Sequence, residues 1–392
     1  GQYIQSIQIT RLPNQTQFRI ALKSAVRPRI WSTPAPDRIV VDLRPDSLVS
    51  RTILWAPGVQ WRQDLLAVGA QRVAAVWLEL KPGASGLRLA PILANPSGIP
   101  GIAPLQQIAQ AVQVAGAING GFFNRDRQLP LGALRRGDRW LSGPILNRGA
   151  IAWDNAGMVQ FGRLTLQETI LTPTGQRFPL THLNSGYLQA GIARYTPDWG
   201  PTYTTLSNGE GIVTVQNGRV IQQQTLEQAG ESVPIPPDAY LLVFRSNRSA
   251  VAAFPVGTPL TLEAATNPPT WRSLPNILGA GPLLLQNQQI VLDARAEAFS
   301  PAFASQRAAR SAIAQKSDGT LLLFTTHTTL DGKGLTLLET AQLLQQLGAV
   351  HALNLDGGSS TTLYLGGQLL DRPPATAARV HNGLGLFLPV LP

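Results

Sequence analysis

The chain has 392 residues and a formal net charge of +10; 44% of its residues are hydrophobic and only 14% are charged. This composition excludes a chain kept disordered by its charge and provides enough apolar residues for a sizeable core. The absence of cysteine excludes disulfides, thiolate metal sites and cysteine nucleophiles.

The N-terminal segment has the alternating pattern of short β-strands. Alternation over residues 3–9, 18–22 and 38–43 predicts three strands separated by Pro and Asn. Residues 1–60 carry eight basic and three acidic side chains, which favours an anionic partner. Residues 36–43 resemble the AMIN domain, and that resemblance implies a β-sandwich-like module that attaches periplasmic enzymes to the cell wall. We therefore predict a small β module over residues 1–51, with the cell wall as its partner.

Residues 52–392 contain no linker rich in Gly, Ser or charge, and we predict that they form one large mixed domain. Turn signals are frequent, as expected from 37 glycines and 31 prolines. Gln216-Asn217-Gly218, for example, predicts a hairpin between residues 211–215 and 219–223. The pattern indicates many strands and few helices. It contains no dinucleotide-binding or P-loop fingerprint, and no apolar run reaches the ~18 residues of a membrane span.

Two segments share one plan: a helical stripe, a glycine, a short strand, and then a polar residue followed by Gly-Gly. The first has helical spacing over residues 105–112 and ends in Asn119-Gly120-Gly121. The second has a stronger stripe over residues 337–347 and ends in Asp356-Gly357-Gly358. Glycines at such positions leave the backbone free to approach a ligand. We expect the two turns to face each other across one pocket.

Asp356 is the strongest candidate for chemistry in this pattern. A carboxylate between a strand and a Gly-Gly turn could act as a general base, hold a cation or orient a sugar. The alternative is an aspartate that only closes a turn through its own backbone. The Gly357 and Gly358 amides and the hydroxyls of Ser359 and Ser360 could bind phosphate oxygens as a backbone nest.

Glu339 and His327 are weaker candidates for a catalytic role. Thr336-Leu337-Leu338-Glu339 is a capping box, which could account fully for Glu339. His327 follows a predicted strand and is the best acid/base candidate of the four histidines. The absence of an HExxH spacing argues against zinc. A divalent cation held by Asp, Asn and carbonyl oxygens is the one cofactor left open, and its ligands are unknown.

Arginines supply candidate phosphate ligands. Arg310 and Arg379 each precede a predicted strand, and arginine can bind phosphate in a bidentate manner. The alternative is a surface arginine packed along its stem. Five further arginines follow the first Gly-Gly turn, where they could attract an anionic substrate or lie on a solvated loop: Arg125, Arg127, Arg135, Arg136 and Arg139.

With these residues in place, the large domain resembles the phosphodiester glycosidase family. The resemblance covers roughly residues 55–390 and rests on these motifs in order: Asn119-Gly120-Gly121-Phe122-Phe123, Gly279-Ala280-Gly281-Pro282-Leu283, Arg310-Ser311-Ala312-Ile313, the helix with Glu339, Asn354-Leu355-Asp356-Gly357-Gly358-Ser359-Ser360, and the segment from Arg379 to Phe387. One departure is the single Gly pair after Asp356, where the family often has three glycines. That shorter run could alter how phosphate approaches.

The resemblance implies an α+β domain with a mixed sheet that hydrolyses sugars joined through the anomeric carbon to a phosphodiester. It implies pocket roles for Asn119, Arg310, Asp356, Gly357 and Ser359, with Glu339 and His327 as further catalytic candidates. We therefore expect a periplasmic or secreted hydrolase that acts on envelope or extracellular glycans. The alternative is a non-catalytic glycan- or cell-wall-binding protein with the same pocket. We expect no nucleic-acid partner, because no basic helix or aromatic-interleaved motif occurs. The sequence leaves a retaining or inverting outcome open.

Overall fold

The computed structural model describes residues 3–389 apart from 24–26, 35, 45–48, 70, 82–85, 247 and 330–332. The helices are α1 Leu105–Ala111, α2 Pro301–Ser305 and α3 Leu337–Gln346. The strands before α1 are β1 Ile4–Leu12, β2 Gln15–Leu22, β3 Arg27–Thr33, β4 Arg38–Arg44, β5 Arg51–Ala56, β6 Val59–Val68, β7 Gln71–Leu80, β8 Arg88–Leu93 and β9 Ala103–Pro104.

The strands between α1 and α2 are β10 Gly116–Asn119, β11 Phe123–Asn124, β12 Leu129–Pro130, β13 Leu134–Arg136, β14 Arg139–Ser142, β15 Gly149–Trp153, β16 Val159–Arg163, β17 Thr165–Leu171, β18 Arg177–Leu180, β19 His182–Leu183, β20 Gly191–Tyr195, β21 Thr202–Thr204, β22 Glu210–Gln216, β23 Arg219–Leu226, β24 Ser232–Pro234, β25 Ala239–Arg245, β26 Thr261–Asn267, β27 Asn276–Gly279, β28 Leu283–Gln286 and β29 Gln289–Ile290. Those after α2 are β30 Arg310–Lys316, β31 Leu321–Thr329, β32 Ala349–Asn354, β33 Leu363–Leu365, β34 Gln368–Leu369, β35 Arg379–Val380 and β36 Asn382–Phe387. The fold is thus mostly β, with several sheets and few helices, as the sequence predicts.

Two sheets form the frame of the candidate site. The larger has eight strands in the order β29-β28-β32-β30-β31-β7-β6-β5, and the smaller has five in the order β34-β33-β10-β36-β8. Side chains such as Leu78 and Leu353 from the first pack with Ile118 and Leu384 from the second in one core. Because strand side chains alternate between faces, the opposite faces remain for the helices.

Each sheet carries one helix on its outer face. Leu337, Ala341 and Leu344 of α3 pack on the eight-stranded sheet. Leu105 and Ile108 of α1 pack on the five-stranded sheet. The resulting order of layers is α3, large sheet, small sheet, α1. The strands β32 and β10 follow α3 and α1 directly, so both predicted Gly-Gly turns leave this double-sheet core.

The helices and hairpins follow the sequence pattern closely. Thr336 caps α3, and its capping box with Glu339 is complete. Gly348 has φ of +87° just after the helix, a conformation that favours glycine at a helix end. Asn217 and Gly218, with φ of 49° and 70°, connect β22 to β23 as the predicted hairpin requires.

The mixed sheet that the resemblance implies corresponds to the five-stranded sheet β19-β20-β25-β22-β23, and the two sheets at the candidate site are antiparallel. Among the described strands, the pairings are antiparallel except for β19 with β20. A parallel pair needs a long crossover, usually a helix, whereas short turns suffice for antiparallel neighbours. With three short helices and many two- to four-residue turns, this chain forms hairpins and meanders instead.

The N-terminal strands pair locally. β1 pairs with β2 and β3 with β4, while β5 joins the eight-stranded sheet. The predicted boundary at residue 51 coincides with the first residue of β5. Residues 1, 2, 24–26, 35 and 45–48 of the predicted module lie outside the described residues, and its likeness to the AMIN domain stays a prediction. No helix in the part of the chain that the structure describes is long and apolar enough to cross a membrane.

Candidate active site

The ends of β10 and β32 meet directly. The side-chain amide of Asn119 donates a hydrogen bond of 2.6 Å to the backbone oxygen of Asp356. Asp356 N in turn donates to the Gly120 oxygen at 3.0 Å. The structure therefore brings the two predicted turns together, and they contact each other rather than lying on opposite walls of a pocket.

Asn119 is fully buried, and its side chain is engaged inside the protein. Its amide oxygen accepts the hydroxyl of Ser311 at 2.7 Å and the backbone N–H of Thr362 at 3.0 Å. These bonds join β10, β30 and the segment that follows the Asp356 turn. The observed contacts favour a positioning role, and its predicted substrate contact stays a prediction.

Gly120 and Gly121 pack against protein backbone and a buried amide. Their N–H groups donate to the backbone oxygen of Asn382 at 2.9 Å and to its Oδ1 at 2.8 Å. A Cβ at Gly120 would lie 2.0 Å from that Oδ1, and one at Gly121 would lie 2.2 Å from the oxygen of Gly279. The requirement for glycine here is thus explained by close packing, and the two amides already have partners.

Asp356 is half-buried on its turn. Burial raises its pKa to about 6 from an ordinary 3.8, while Ser360, Arg125 and the Gly357 amide act in the opposite direction. A carboxylate with this pKa is ionised at neutral pH and is still a usable base. Of the predicted catalytic residues, Asp356 has the environment that fits proton transfer best.

The Gly-Gly turn after Asp356 packs against the backbone of Ala309. Gly358 has φ of +62°, and its N–H donates to the Ala309 oxygen at 2.8 Å. A Cβ at Gly357 would lie 2.8 Å from the same oxygen. The Gly358 amide therefore has a protein partner, which leaves the predicted two-amide phosphate nest incomplete. Ser359 is exposed beside the carboxylate, and Ser360 is buried.

Arg310 lies beneath this turn and is 1% exposed. Its Nε donates to the Leu335 oxygen at 2.9 Å, and a terminal nitrogen donates to the oxygen of Gln306. Burial lowers its pKa to about 10 although Glu339 raises it, so the guanidinium stays charged at neutral pH. Its observed partners are carbonyls of the surrounding loops, and its predicted phosphate contact stays a prediction.

Glu339 has the structural role that its capping box predicts. One carboxylate oxygen accepts the Thr336 N–H at 2.8 Å, and the other pairs with Arg307. Burial alone would raise its pKa, but the hydrogen bonds from Thr336 and Arg307 lower it overall. Arg379 is exposed on β35, next to Ala378, whose N–H donates to the Ser359 oxygen at 2.9 Å. Catalytic action by Glu339 and substrate binding by Arg379 stay predictions.

His327 belongs to a hydrogen-bonded chain that the sequence did not reveal. Its Nε2 lies 2.8 Å from Oδ2 of the fully buried Asp371, and its Nδ1 lies 3.1 Å from a nitrogen of Arg372. Because an ionised carboxylate only accepts and a guanidinium only donates, the ring carries its proton on Nε2. Both ring nitrogens therefore have partners.

Arg372 connects this chain to the Asp356 turn. It donates to the backbone oxygens of Ser359 and Gly358 at 3.0 and 3.1 Å. The hydrogen bonds run from Asp371 through His327 to Arg372 and the turn, and this arrangement favours a positioning role for His327. Its predicted acid/base role stays a prediction.

Asp371→Asn is expected to lower kcat by about tenfold and the stability of the fold by about 1–3 kcal/mol. The asparagine can keep the 2.9 Å bond from Leu363 N, but its amide would face the His327 Nε2–H with a donor. Moving the ring proton to Nδ1 would let Nε2 accept from that amide, but it would set the Nδ1–H against the Arg372 donor. Steady-state kinetics and the 15N shifts of His327 measure the loss of activity and the change of tautomer.

A matched control for this prediction is Asp154→Asn, because Asp154 accepts backbone N–H groups in a hairpin turn and asparagine can do the same. An Asp371→Asn variant with unchanged kcat and the same His327 tautomer would refute the positioning chain.

The arginines that follow the first turn have different roles. Arg135 is buried and donates to backbone oxygens of Arg272 and Leu274 at 2.7 and 2.9 Å, and Arg139 pairs with Asp198. Arg125 reaches the site, where it donates to the Ser359 hydroxyl at 3.1 Å. The sequence placed it in a group of five without distinguishing it.

Within the described residues, no group of three or more His, Asp or Glu side chains could hold a metal ion. A divalent cation held by Asp, Asn and carbonyl oxygens stays an open prediction.

Residues 209–387 match the profile of the phosphodiester glycosidase family. The chain contains a domain of that family. A stretch of 71 residues is 39% identical to N-acetylglucosamine-1-phosphodiester alpha-N-acetylglucosaminidase of Mus musculus, which is 18% of this chain and 14% of the mouse protein. The chain thus spans only a small part of this curated relative.

Two solved structures are similar to this chain over most of its length. A hypothetical protein from Synechocystis is 46% identical with a TM-score of 0.87, covering 98% of this chain and 72% of that one. A Burkholderia pseudomallei protein is 22% identical with a TM-score of 0.67, covering 81% and 74%. The second likeness concerns the fold alone. The first extends beyond the family match to the N-terminal residues.

Proposed function

We propose that the protein hydrolyses the glycosidic bond of a sugar-1-phosphodiester, with the Asp356 carboxylate acting at the anomeric carbon. The observation that carries the proposal is a half-buried aspartate near an exposed arginine, at the meeting point of two Gly-Gly turns in a phosphodiester glycosidase domain. The similarity to the mouse N-acetylglucosamine-1-phosphodiester alpha-N-acetylglucosaminidase supports N-acetylglucosamine as the first sugar to test.

The chemistry needs few catalytic groups. Water attacks the anomeric carbon and loses a proton to Asp356, while the bond from that carbon to the phosphate oxygen breaks and its electron pair leaves with the phosphate. The group that departs is a phosphate monoester, which is only weakly basic, so it can leave without a general acid. The site must then provide a base and stabilise negative charge on phosphate.

A single effective carboxylate is compatible with these demands. Glycosidases acting on sugar leaving groups commonly use two carboxylates, one of them as an acid. Here Glu339 and the Asp371 carboxylate are engaged in internal hydrogen bonds. Proton NMR of the first-formed sugar anomer distinguishes inversion by activated water from retention through a covalent Asp356 intermediate.

We further propose that the substrates are envelope or extracellular glycans and that the protein works in the periplasm or outside the cell. The basic residues 1–60 support an anionic polymer near the N-terminal strands. Fractionation of cells that express the full gene measures this placement, and a cytoplasmic pool would reject it.

The test of the proposed reaction is release of N-acetylglucosamine from its 1-(methyl phosphate) diester and from UDP-N-acetylglucosamine, with and without EDTA. We expect turnover on at least one substrate. Turnover that survives EDTA would show that no chelatable cation is needed. Binding of glycans without turnover on either diester would reject catalysis and favour the glycan-binding alternative, which the internal partners of Glu339 and His327 leave open.

A further inference from the structure

Besides Arg372, which donates to the backbone of the Asp356 turn, two arginines lie close to it, one buried and one exposed. Arg310 is buried below it and has carbonyl partners at Leu335 and Gln306. Arg125 is exposed above it, on the loop between β11 and β12. A ligand that enters from solvent meets Arg125 without disturbing any buried contact. It could reach Arg310 only by displacing protein groups.

The position of Arg125 is fixed by its loop. Oδ1 of Asn124 accepts the N–H of Arg127 at 2.8 Å, and the Gly101 N–H donates to the Gln128 oxygen at 3.0 Å. The first of these hydrogen bonds stabilises the turn at the start of the loop, and the second holds its end against Gly101. The Arg125 side chain reaches from it to the Ser359 hydroxyl, 234 residues further along the chain.

Arg125 also acts electrostatically on the carboxylate of Asp356, whose pKa it lowers against the larger effect of burial. Its guanidinium is therefore placed to bind the phosphate that is bonded to the anomeric carbon, where Asp356 would act. Arginine offers several donors in a planar fork, of which one binds Ser359, and phosphate oxygens match that geometry.

We infer that Arg125 and Ser359 form the phosphate subsite, on the solvent-exposed side of the Asp356 turn. The inference rests on the proposed function and adds to it the residues that select an anionic leaving group. In this arrangement Arg125 binds a phosphate oxygen, Ser359 donates its hydroxyl to another, and the anomeric carbon faces Asp356. The positive charge of Arg125 also stabilises the phosphate as the bond breaks. Arg310 then maintains the turn from below.

The test compares Arg125→Ala with Arg127→Ala, because both residues are exposed on one loop and carry the same charge. The charged substrate is the 1-(methyl phosphate) diester of N-acetylglucosamine, and the neutral one is its p-nitrophenyl α-glycoside. We expect Arg125→Ala to raise KM for the diester by about 10–100-fold and to leave the neutral glycoside within about twofold. We expect Arg127→Ala to change neither by more than about twofold.

A conservative variant and a salt series provide two further measurements. Arg125→Lys keeps the charge but loses the planar fork, so its KM for the diester should fall between those of the wild type and Arg125→Ala. Because the subsite is exposed, the difference between wild type and Arg125→Ala should shrink at about 0.5 M salt. Equal losses on both substrates, or equal losses in the Arg125 and Arg127 variants, would overturn the subsite.

Calorimetric binding of N-acetylglucosamine 1-phosphate separates this inference from the proposed reaction. If the wild type hydrolyses neither substrate, the proposed function fails, but weaker binding by Arg125→Ala than by Arg127→Ala still supports the subsite. Equal binding by the two variants, or no binding by the wild type, would overturn it.

Discussion

Asp356→Asn is expected to lower kcat for a sugar-1-phosphodiester by about 10²–10⁴-fold while the fold remains intact. Asparagine has nearly the same shape, but it can neither take a proton from water nor attack the anomeric carbon effectively. In the wild type, burial raises the pKa of Asp356 to about 6, and the ionised form is the active one. The wild-type kcat/KM should therefore rise with pH through about 6 and level off above it.

The same substitution is expected to stabilise the protein at neutral pH. A folded-state pKa above the ordinary 3.8 means that the folded protein disfavours the charged carboxylate. The resulting loss of free energy of unfolding is absent below about pH 4, where the carboxyl group is neutral in both states. It is fully present above about pH 6, where it reaches the order of 3 kcal/mol. Thermal unfolding should then show a higher Tm for Asp356→Asn than for wild type at pH 7.5, and little difference at pH 4.

The control for both effects is Asp238→Asn, because Asp238 is exposed and is bonded only to the Gln216 side chain in the described contacts. It should change neither kcat nor the pH dependence of Tm. Full activity of Asp356→Asn would remove Asp356 from the mechanism. Loss of activity together with a lower Tm at pH 7.5 would instead assign it to the fold.

Local features of this fold could be predicted from the sequence because their causes lie within a few residues. The stripe over residues 337–347 and the Thr336–Glu339 box define α3 almost to the residue. Asn217-Gly218 defines a hairpin because both positions need a positive φ. That the Asn119 and Asp356 turns lie close together was predictable for a different reason. Two segments with the same order of helix, glycine, strand and Gly-Gly turn are expected to occupy equivalent positions in the core.

What the sequence could not provide are partners that are distant along the chain. His327 and Asp371 are 44 residues apart, and Gly121 and Asn382 are 261 apart. Each residue type is common, and no local pattern marks the pair. The Gly-Gly turns illustrate the consequence: the sequence explains the glycines by a ligand, whereas Asn382 and Gly279 explain the first pair by packing. Arg125 was hidden among neighbouring arginines until the Ser359 contact singled it out.

Arg245→Ala is expected to cost about 3–5 kcal/mol of stability, the largest structural effect we predict. Arg245 and Glu210 are 3% and 0% exposed and are joined at 2.8 Å between β25 and β22. Arg245 also donates to the hydroxyls of Tyr195 and Tyr203 at 2.8 Å, and Tyr203 donates to Glu210 at 2.6 Å. Burial raises the pKa of Tyr203 above its ordinary value, so its hydroxyl keeps the proton that this bond needs.

Removal of Arg245 would leave the Glu210 carboxylate buried without its cation, and that desolvated charge is the source of the cost. The exposed pair Arg177–Glu263, at 2.7 Å between β18 and β26 of one antiparallel sheet, is the matched control. Arg177→Ala should cost at most about 1 kcal/mol because water screens this pair. The double variant Arg245→Met/Glu210→Leu should recover part of the loss, since it removes both charges together. Urea midpoints measure all three. An Arg245→Ala midpoint close to that of Arg177→Ala would show that the buried network contributes no more than a surface pair, and the charge argument would then be wrong.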